Sequence, residues 1–86
     1  MKEITMFHFA SCPYCRKALK FIDELKAENP ELKDVKINMI DERKEPEIAD
    51  KYDYYYVPTF YIGEEKLHEG DISKAEMKEV LEKALQ

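Results

Sequence analysis

The hydrophobic pattern of the chain changes period at one place, and its only two cysteines stand there. Glu3 to Phe9 is rich in β-branched and aromatic residues (Ile4, Thr5, Phe7, Phe9), with apolar groups on both alternating faces. That is the pattern of a strand covered on two sides. From Pro13 onward Cys15, Ala18, Leu19, Ile22 and Leu25 fall on one helical stripe, with Arg16, Lys17, Lys20 and Glu24 elsewhere, until Asn29-Pro30 stops the run. A helix of about four turns is predicted there. Cys12 and Cys15 lie at the handover, only two residues apart. They cannot staple distant segments as a secreted disulfide framework would, so they invite a chemical explanation.

The remaining pattern completes a small α/β domain. Val35 to Ile40 is apolar and bounded by Lys33-Asp34 and Asp41-Glu42, which predicts a second strand. Glu45-Pro46-Glu47 suits a first helical turn, and Ile48, Ala49 and Tyr52 give a short helix its apolar face. Thr59 to Ile62 and Lys66 to Glu69, separated by Gly63-Glu64-Glu65, predict an antiparallel hairpin. Ser73 and Glu76 form a capping box, Ile72 and Met77 a hydrophobic staple, and Met77, Val80, Leu81 and Ala84 one face of a last helix. The predicted order is βαβαββα, with the first two strands parallel and the hairpin adding an antiparallel edge. At 86 residues the chain has room for one domain, residues 1–86, and no more.

Charge and hydropathy narrow the partners. Fourteen Lys and Arg against 19 Asp and Glu give a net charge of −5, which disfavours nucleic acid and anionic lipid surfaces. The apolar runs are far shorter than the roughly 20 residues that span a bilayer, and Met1-Lys2-Glu3-Ile4 lacks the apolar core of a signal peptide. The expectation is a soluble, cytoplasmic, monomeric protein.

Cys12 is the candidate nucleophile. A thiol at a helix N-terminus sits beside unpaired backbone N–H groups and the positive end of the dipole, both of which favour thiolate. Cys15, on the same stripe as Ala18 and Ile22, is expected to be more buried and suited to resolve a mixed disulfide formed at Cys12. A structural zinc site needs about four ligands, and beyond the thiols the chain offers only His8 and His68, with no second pair at finger-like spacing. No metal site is therefore expected. A CxxC module holding a soft metal such as Cu(I) is the rival reading, but it comes with the order βαββαβ rather than the one predicted here.

Cys12-Pro13-Tyr14-Cys15 after a short first strand resembles the active site of dithiol glutaredoxins. The second half is more similar to thioredoxins: Asp41 followed by Pro46, Ala49-Asp50-Lys51-Tyr52, Val57-Pro58-Thr59, Gly70, and Ser73 through Leu81. The resemblance implies a thioredoxin fold, a central four-stranded mixed sheet flanked by three helices. It further implies a thiol–disulfide oxidoreductase that needs no bound cofactor and draws electrons from glutathione or a flavoprotein thioredoxin reductase. Protein disulfides are the implied partners. Cys12 and Cys15 are the implied catalytic pair, and Pro13, Tyr14, Tyr56, Val57, Pro58 and Thr59 the implied substrate contacts, with Val57-Pro58 in cis and its backbone offered to an extended substrate.

The chain also departs from both branches. Phe9 stands where glutaredoxins place lysine, and Glu69-Gly70 where they carry a glycine pair. Met6 replaces the buried acid of thioredoxins, Ser11 precedes Cys12, and there is no tryptophan. With Phe9, Glu69 and Asp53 all unfavourable to an anion, protein disulfides are expected to be preferred and glutathione mixed disulfides to be weak substrates. Tyr54-Tyr55-Tyr56 offers either an aromatic rim or partly buried packing, with Tyr56 the residue expected to be exposed. Arg16, Lys17 and Lys20 read as a solvated helix face, and His8 and His68 as strand residues without a catalytic part.

Overall fold

A computed structural model describes residues 1–86. It contains the strands β1 (Ile4–His8), β2 (Ile37–Asp41), β3 (Thr59–Ile62) and β4 (Glu65–Glu69), and the helices α1 (Pro13–Glu28), α2 (Pro46–Ala49) and α3 (Lys74–Lys83). They follow the order βαβαββα in one mixed sheet arranged β2-β1-β3-β4. β1 is parallel to β2 and antiparallel to β3, so the chain's first strand lies at the centre of the sheet.

Local sequence explains the element ends. Pro13 opens α1, and Asn29 closes it by donating both its backbone N–H and its side-chain amide to the Leu25 carbonyl, at 2.9 and 3.0 Å. Pro30 then begins a short 3₁₀ turn, Pro30–Leu32, that the hydrophobic pattern did not signal. The turn buries Leu32 and Val35, so β2 starts two residues later than the apolar run suggests. Val35 is apolar because it plugs the core, not because it belongs to a ladder. At α3 both halves of the capping box form: Glu76 N–H donates to Ser73 Oγ and Ser73 N–H to Glu76 Oε1. Gly63, at φ +57°, supplies the left-handed residue of the β3–β4 hairpin.

Alternation along the strands divides the interior into two layers of different character. On one face Ile4, Met6 and Phe60 pack beneath α1 and α3 with Ala18, Ile22, Leu25, Met77, Val80 and Leu81. On the other face Phe7, Ile40, Ala49 and Tyr61 meet α2. α2 is a four-residue turn and cannot roof the sheet alone. Aromatic rings do the rest: the Phe7 ring lies 4.7 Å from Tyr52, 4.9 Å from Tyr54 and 6.0 Å from Tyr61.

Candidate active site

The site forms where β1 hands over to α1 and where the segment before β3 passes alongside. After Phe9 the backbone turns tightly, Cys12 N–H donating to the Phe9 carbonyl at 3.2 Å. Cys12 is the N-cap residue of α1, with extended φ and ψ of −79° and 112°, and its Sγ accepts the Cys15 N–H at 3.1 Å. The helix end thus directs one of its otherwise unpaired N–H groups at the sulfur that would carry charge. Across the site the Cys12 thiol faces the Val57 carbonyl at 4.0 Å.

Both cysteines are free thiols, and each is 2% exposed. The expectation that Cys15 would be more buried is therefore corrected. The tight Phe9–Cys12 turn and the Val57 segment close over Cys12 as completely as the core closes over Cys15. What separates the two is their place on α1, since both belong to the same buried cluster: Cys12 caps the helix and faces the Val57 carbonyl. Cys15 lies within the layer formed by Ala18, Ile22 and Phe60, and its thiol is pushed up to about 12, first by burial and then by its hydrogen bond with Cys12. Iodoacetamide at neutral pH is accordingly expected to modify Cys12 of the reduced protein first, with Cys15 reacting only as the pH climbs toward about 12. Equal labelling of the two at neutral pH, by peptide mapping, overturns that assignment.

The other expected site residues fall on two segments that meet at Cys12. Pro13 and Tyr14 occupy the first turn of α1, and the Tyr14 ring is 53% exposed. On the facing segment Tyr56 is 70% exposed, Val57 is half-buried and Pro58 and Thr59 are buried. The Val57–Pro58 peptide bond is cis. Val57 N–H has no partner within the chain, and Val57 carbonyl faces only the Cys12 thiol, so this residue retains an unused backbone pair. Thr59 differs: its side chain is spent internally, its hydroxyl donating to the Tyr56 carbonyl.

The three consecutive tyrosines divide. Tyr55 and Tyr56 are exposed, whereas Tyr54 stacks on Phe7 and donates its hydroxyl to Glu42 Oε1 at 2.8 Å. Burial, and then the Glu42 carboxylate, raise the Tyr54 phenol well above its ordinary range. Sequence reasoning passed over Arg43 and Glu42 as neighbours of the site, and read Glu69 only as an unfavourable negative charge. Arg43 lays its guanidinium over the Phe9 ring at 3.9 Å, restoring a cation beside the position where lysine is missing. Glu69 accepts two backbone N–H groups from the tyrosine segment, and Glu42 adds a minor electrostatic push on Cys15. The one signal that pointed to Arg43 and Glu42 was their place beside an expected strand end.

Two of the acidic residues at and just beyond the end of β4 are also not free charges. Glu69 is paired with Lys66 and Asp71 with Lys17, both at 2.7 Å. The net charge of −5 therefore overstates the repulsion an anion would meet here. No group of three or more His, Cys, Asp or Glu side chains converges to hold a metal ion. No helix is long and apolar enough to cross a membrane.

A family model described as a thioredoxin domain matches residues 2–82. A solved structure described as that of a malarial protein is similar over 96% of this chain and 96% of its own, with a TM-score of 0.66 and 20% identity. At that identity the likeness speaks to the fold alone. No curated protein sequence matches the chain.

Proposed function

The chain belongs to the thioredoxin domain family, and on that premise we propose that it reduces protein disulfides through the Cys12–Cys15 dithiol. A thioredoxin domain with such a pair fits a thiol oxidoreductase in general. The observation that carries the finer reading is the Val57 residue, whose carbonyl faces the Cys12 thiol and whose N–H is unpaired, next to the exposed Tyr56 and across from the helix turn that carries the exposed Tyr14. An extended peptide can pair with that backbone in β fashion while its own disulfide reaches Sγ.

The chemistry balances within the dithiol and its substrate. Cys12 Sγ attacks one sulfur of the substrate disulfide as thiolate; that S–S bond breaks, and the departing substrate thiolate takes a proton. The Cys15 N–H already donates to Cys12 Sγ and holds that sulfur at the helix end. Cys15 then gives up its proton and attacks Cys12 Sγ, releasing the second substrate thiol and leaving a Cys12–Cys15 disulfide. Two electrons have passed to the substrate. Glutathione or a flavoprotein reductase returns them, and no bound cofactor takes part.

Protein disulfides are the preferred class in this reading. The exposed Tyr14, Tyr55 and Tyr56 rings suit a peptide surface, while Glu69 occupies backbone N–H groups that a small anionic ligand would seek. Arg43 over Phe9 keeps a weaker glutathione activity within reach. The test compares kcat/KM on insulin and on a glutathione mixed disulfide at matched pH and ionic strength. Insulin is expected to be the better substrate. A glutathione preference above about tenfold, roughly 1.4 kcal/mol in transition-state binding, would reverse the assignment.

A further inference from the structure

The segment that faces Cys12 is held by a carboxylate from the neighbouring edge strand, opposite the start of β3. Glu69, the last residue of β4, accepts Tyr55 N–H at 2.6 Å and Tyr56 N–H at 3.0 Å on the single oxygen Oε2, while Lys66 Nζ donates to Oε1 at 2.7 Å. The next residue, Gly70, donates its N–H to the Pro58 carbonyl at 2.8 Å. The dipeptide Glu69-Gly70 thus grips residues 55–58 at both ends. Between the grips lies Val57, with its free N–H and its carbonyl 4.0 Å from the Cys12 thiol.

The strap matters because, apart from the Thr59 hydroxyl on the Tyr56 carbonyl, it supplies the hydrogen bonds that hold the backbone of Tyr55 and Tyr56. The Tyr55 and Tyr56 side chains are 88% and 70% exposed, so burial of their rings does not hold the backbone. Glycine at position 70 is required by its φ of +87°, and an added Cβ would stand 3.6 Å from Tyr56 Cβ. Successive backbone N–H groups converging on one point make an anion-binding concavity, and bonds to a charged acceptor are about twice as strong as neutral ones. Here the anion is built in. The Lys66 ammonium, then the two tyrosine amides, hold the Glu69 carboxyl at about 2, so it is ionised throughout ordinary pH.

We propose that Glu69 is the positioning residue of the substrate groove: its carboxylate fixes Tyr56-Val57-Pro58 opposite Cys12 and fills a two-amide pocket that a substrate carboxylate would otherwise enter. An incoming peptide then meets a backbone edge already set in place, and loses less freedom on docking. The inference rests on the reading of Cys12 as the thiol that attacks peptide disulfides.

The test compares wild type, Glu69→Ala and Glu69→Gln in insulin reduction, with iodoacetamide alkylation of Cys12 as a readout that needs no groove. Glu69→Ala is expected to raise KM for insulin about tenfold while kcat and the alkylation rate stay within about twofold. Glu69→Gln, which keeps an oxygen acceptor, should remain within about threefold of wild type in KM. Sodium acetate, against sodium chloride at equal ionic strength, should occupy the emptied pocket and return the KM of Glu69→Ala toward wild type. An unchanged KM in Glu69→Ala, no rescue by acetate, or a parallel fall in alkylation overturns the proposal while leaving the dithiol reading standing. A wild-type protein that leaves insulin oxidised overturns both. Amide hydrogen exchange in the wild type needs no variant: Tyr55 and Tyr56 N–H should exchange at least about tenfold more slowly than Val57 N–H, and equal exchange refutes the strap.

Discussion

Cys12→Ser is expected to abolish disulfide exchange, with a loss on the order of a thousandfold or more, while the fold survives. The survival follows from position. Cys12 is the N-cap of α1, and its sulfur accepts the Cys15 N–H; serine is among the best residues for that task and can make the same bond through oxygen. The variant therefore loses a nucleophile and not a helix. Cys15→Ser is expected to behave differently. It keeps Cys12 Sγ and should accumulate a covalent adduct with a protein disulfide, because nothing remains to resolve it. A buried hydroxyl at position 15 costs about 1–3 kcal/mol, which calls for a check by circular dichroism before the trapping is scored. Non-reducing electrophoresis and peptide mapping read the result. An adduct that maps to position 15, or a Cys12→Ser protein that retains a tenth of the wild-type rate, overturns the division of roles.

Phe7→Ala is expected to cause the largest loss of stability of any single side-chain truncation on the α2 face. Phe7 is fully buried in the central strand, and its ring touches those of Tyr52, Tyr54 and Tyr61. Truncating a buried phenylalanine costs about 3–5 kcal/mol, through lost transfer energy and the cavity left behind. Collapse around the gap is limited. Tyr61 is tied by its hydroxyl to the Asp53 carbonyl at 2.7 Å and Tyr54 to Glu42 at 2.8 Å, so neither ring can move inward without breaking a hydrogen bond. For a domain of this size that corresponds to a fall in Tm of roughly 12 °C or more. Urea unfolding of the reduced protein measures it. Leu85→Ala, at a residue 42% exposed, is the control and should change stability by no more than about 0.5 kcal/mol. A Phe7→Ala cost below about 1 kcal/mol would mean that the tyrosine layer does not depend on this ring.

The cysteine pair, the helix that begins at Pro13, the capping box at Ser73 and the hairpin glycine at Gly63 were all legible in the chain. Each is decided by residues within a few positions of one another, through backbone dihedrals, N–H groups left free at a helix end, or the period of the apolar side chains. The order βαβαββα and the parallel pairing of β1 with β2 follow from those same local patterns together with the geometry of crossover connections. What local patterns do not carry is where a side chain ends up when strands distant in sequence are laid side by side. Glu69 reads as a negative charge at a strand end, and only the pairing of β4 with β3, with its register shift between Phe60 and Tyr61, brings its carboxylate to the amides of Tyr55 and Tyr56. Arg43 reads as one cation in a charged turn, and only the parallel register of His8 with Asp41 sets it over Phe9. Tyr54 and Tyr55 are identical neighbours in sequence, yet the brevity of α2 draws one ring onto Phe7 and leaves the other in water. Sequence alone determined which atoms can do the chemistry, since thiol reactivity is a property of residue type and helix position. Tertiary structure decided what surrounds them, because long-range packing sets burial, pairing of charges and the fate of each backbone N–H.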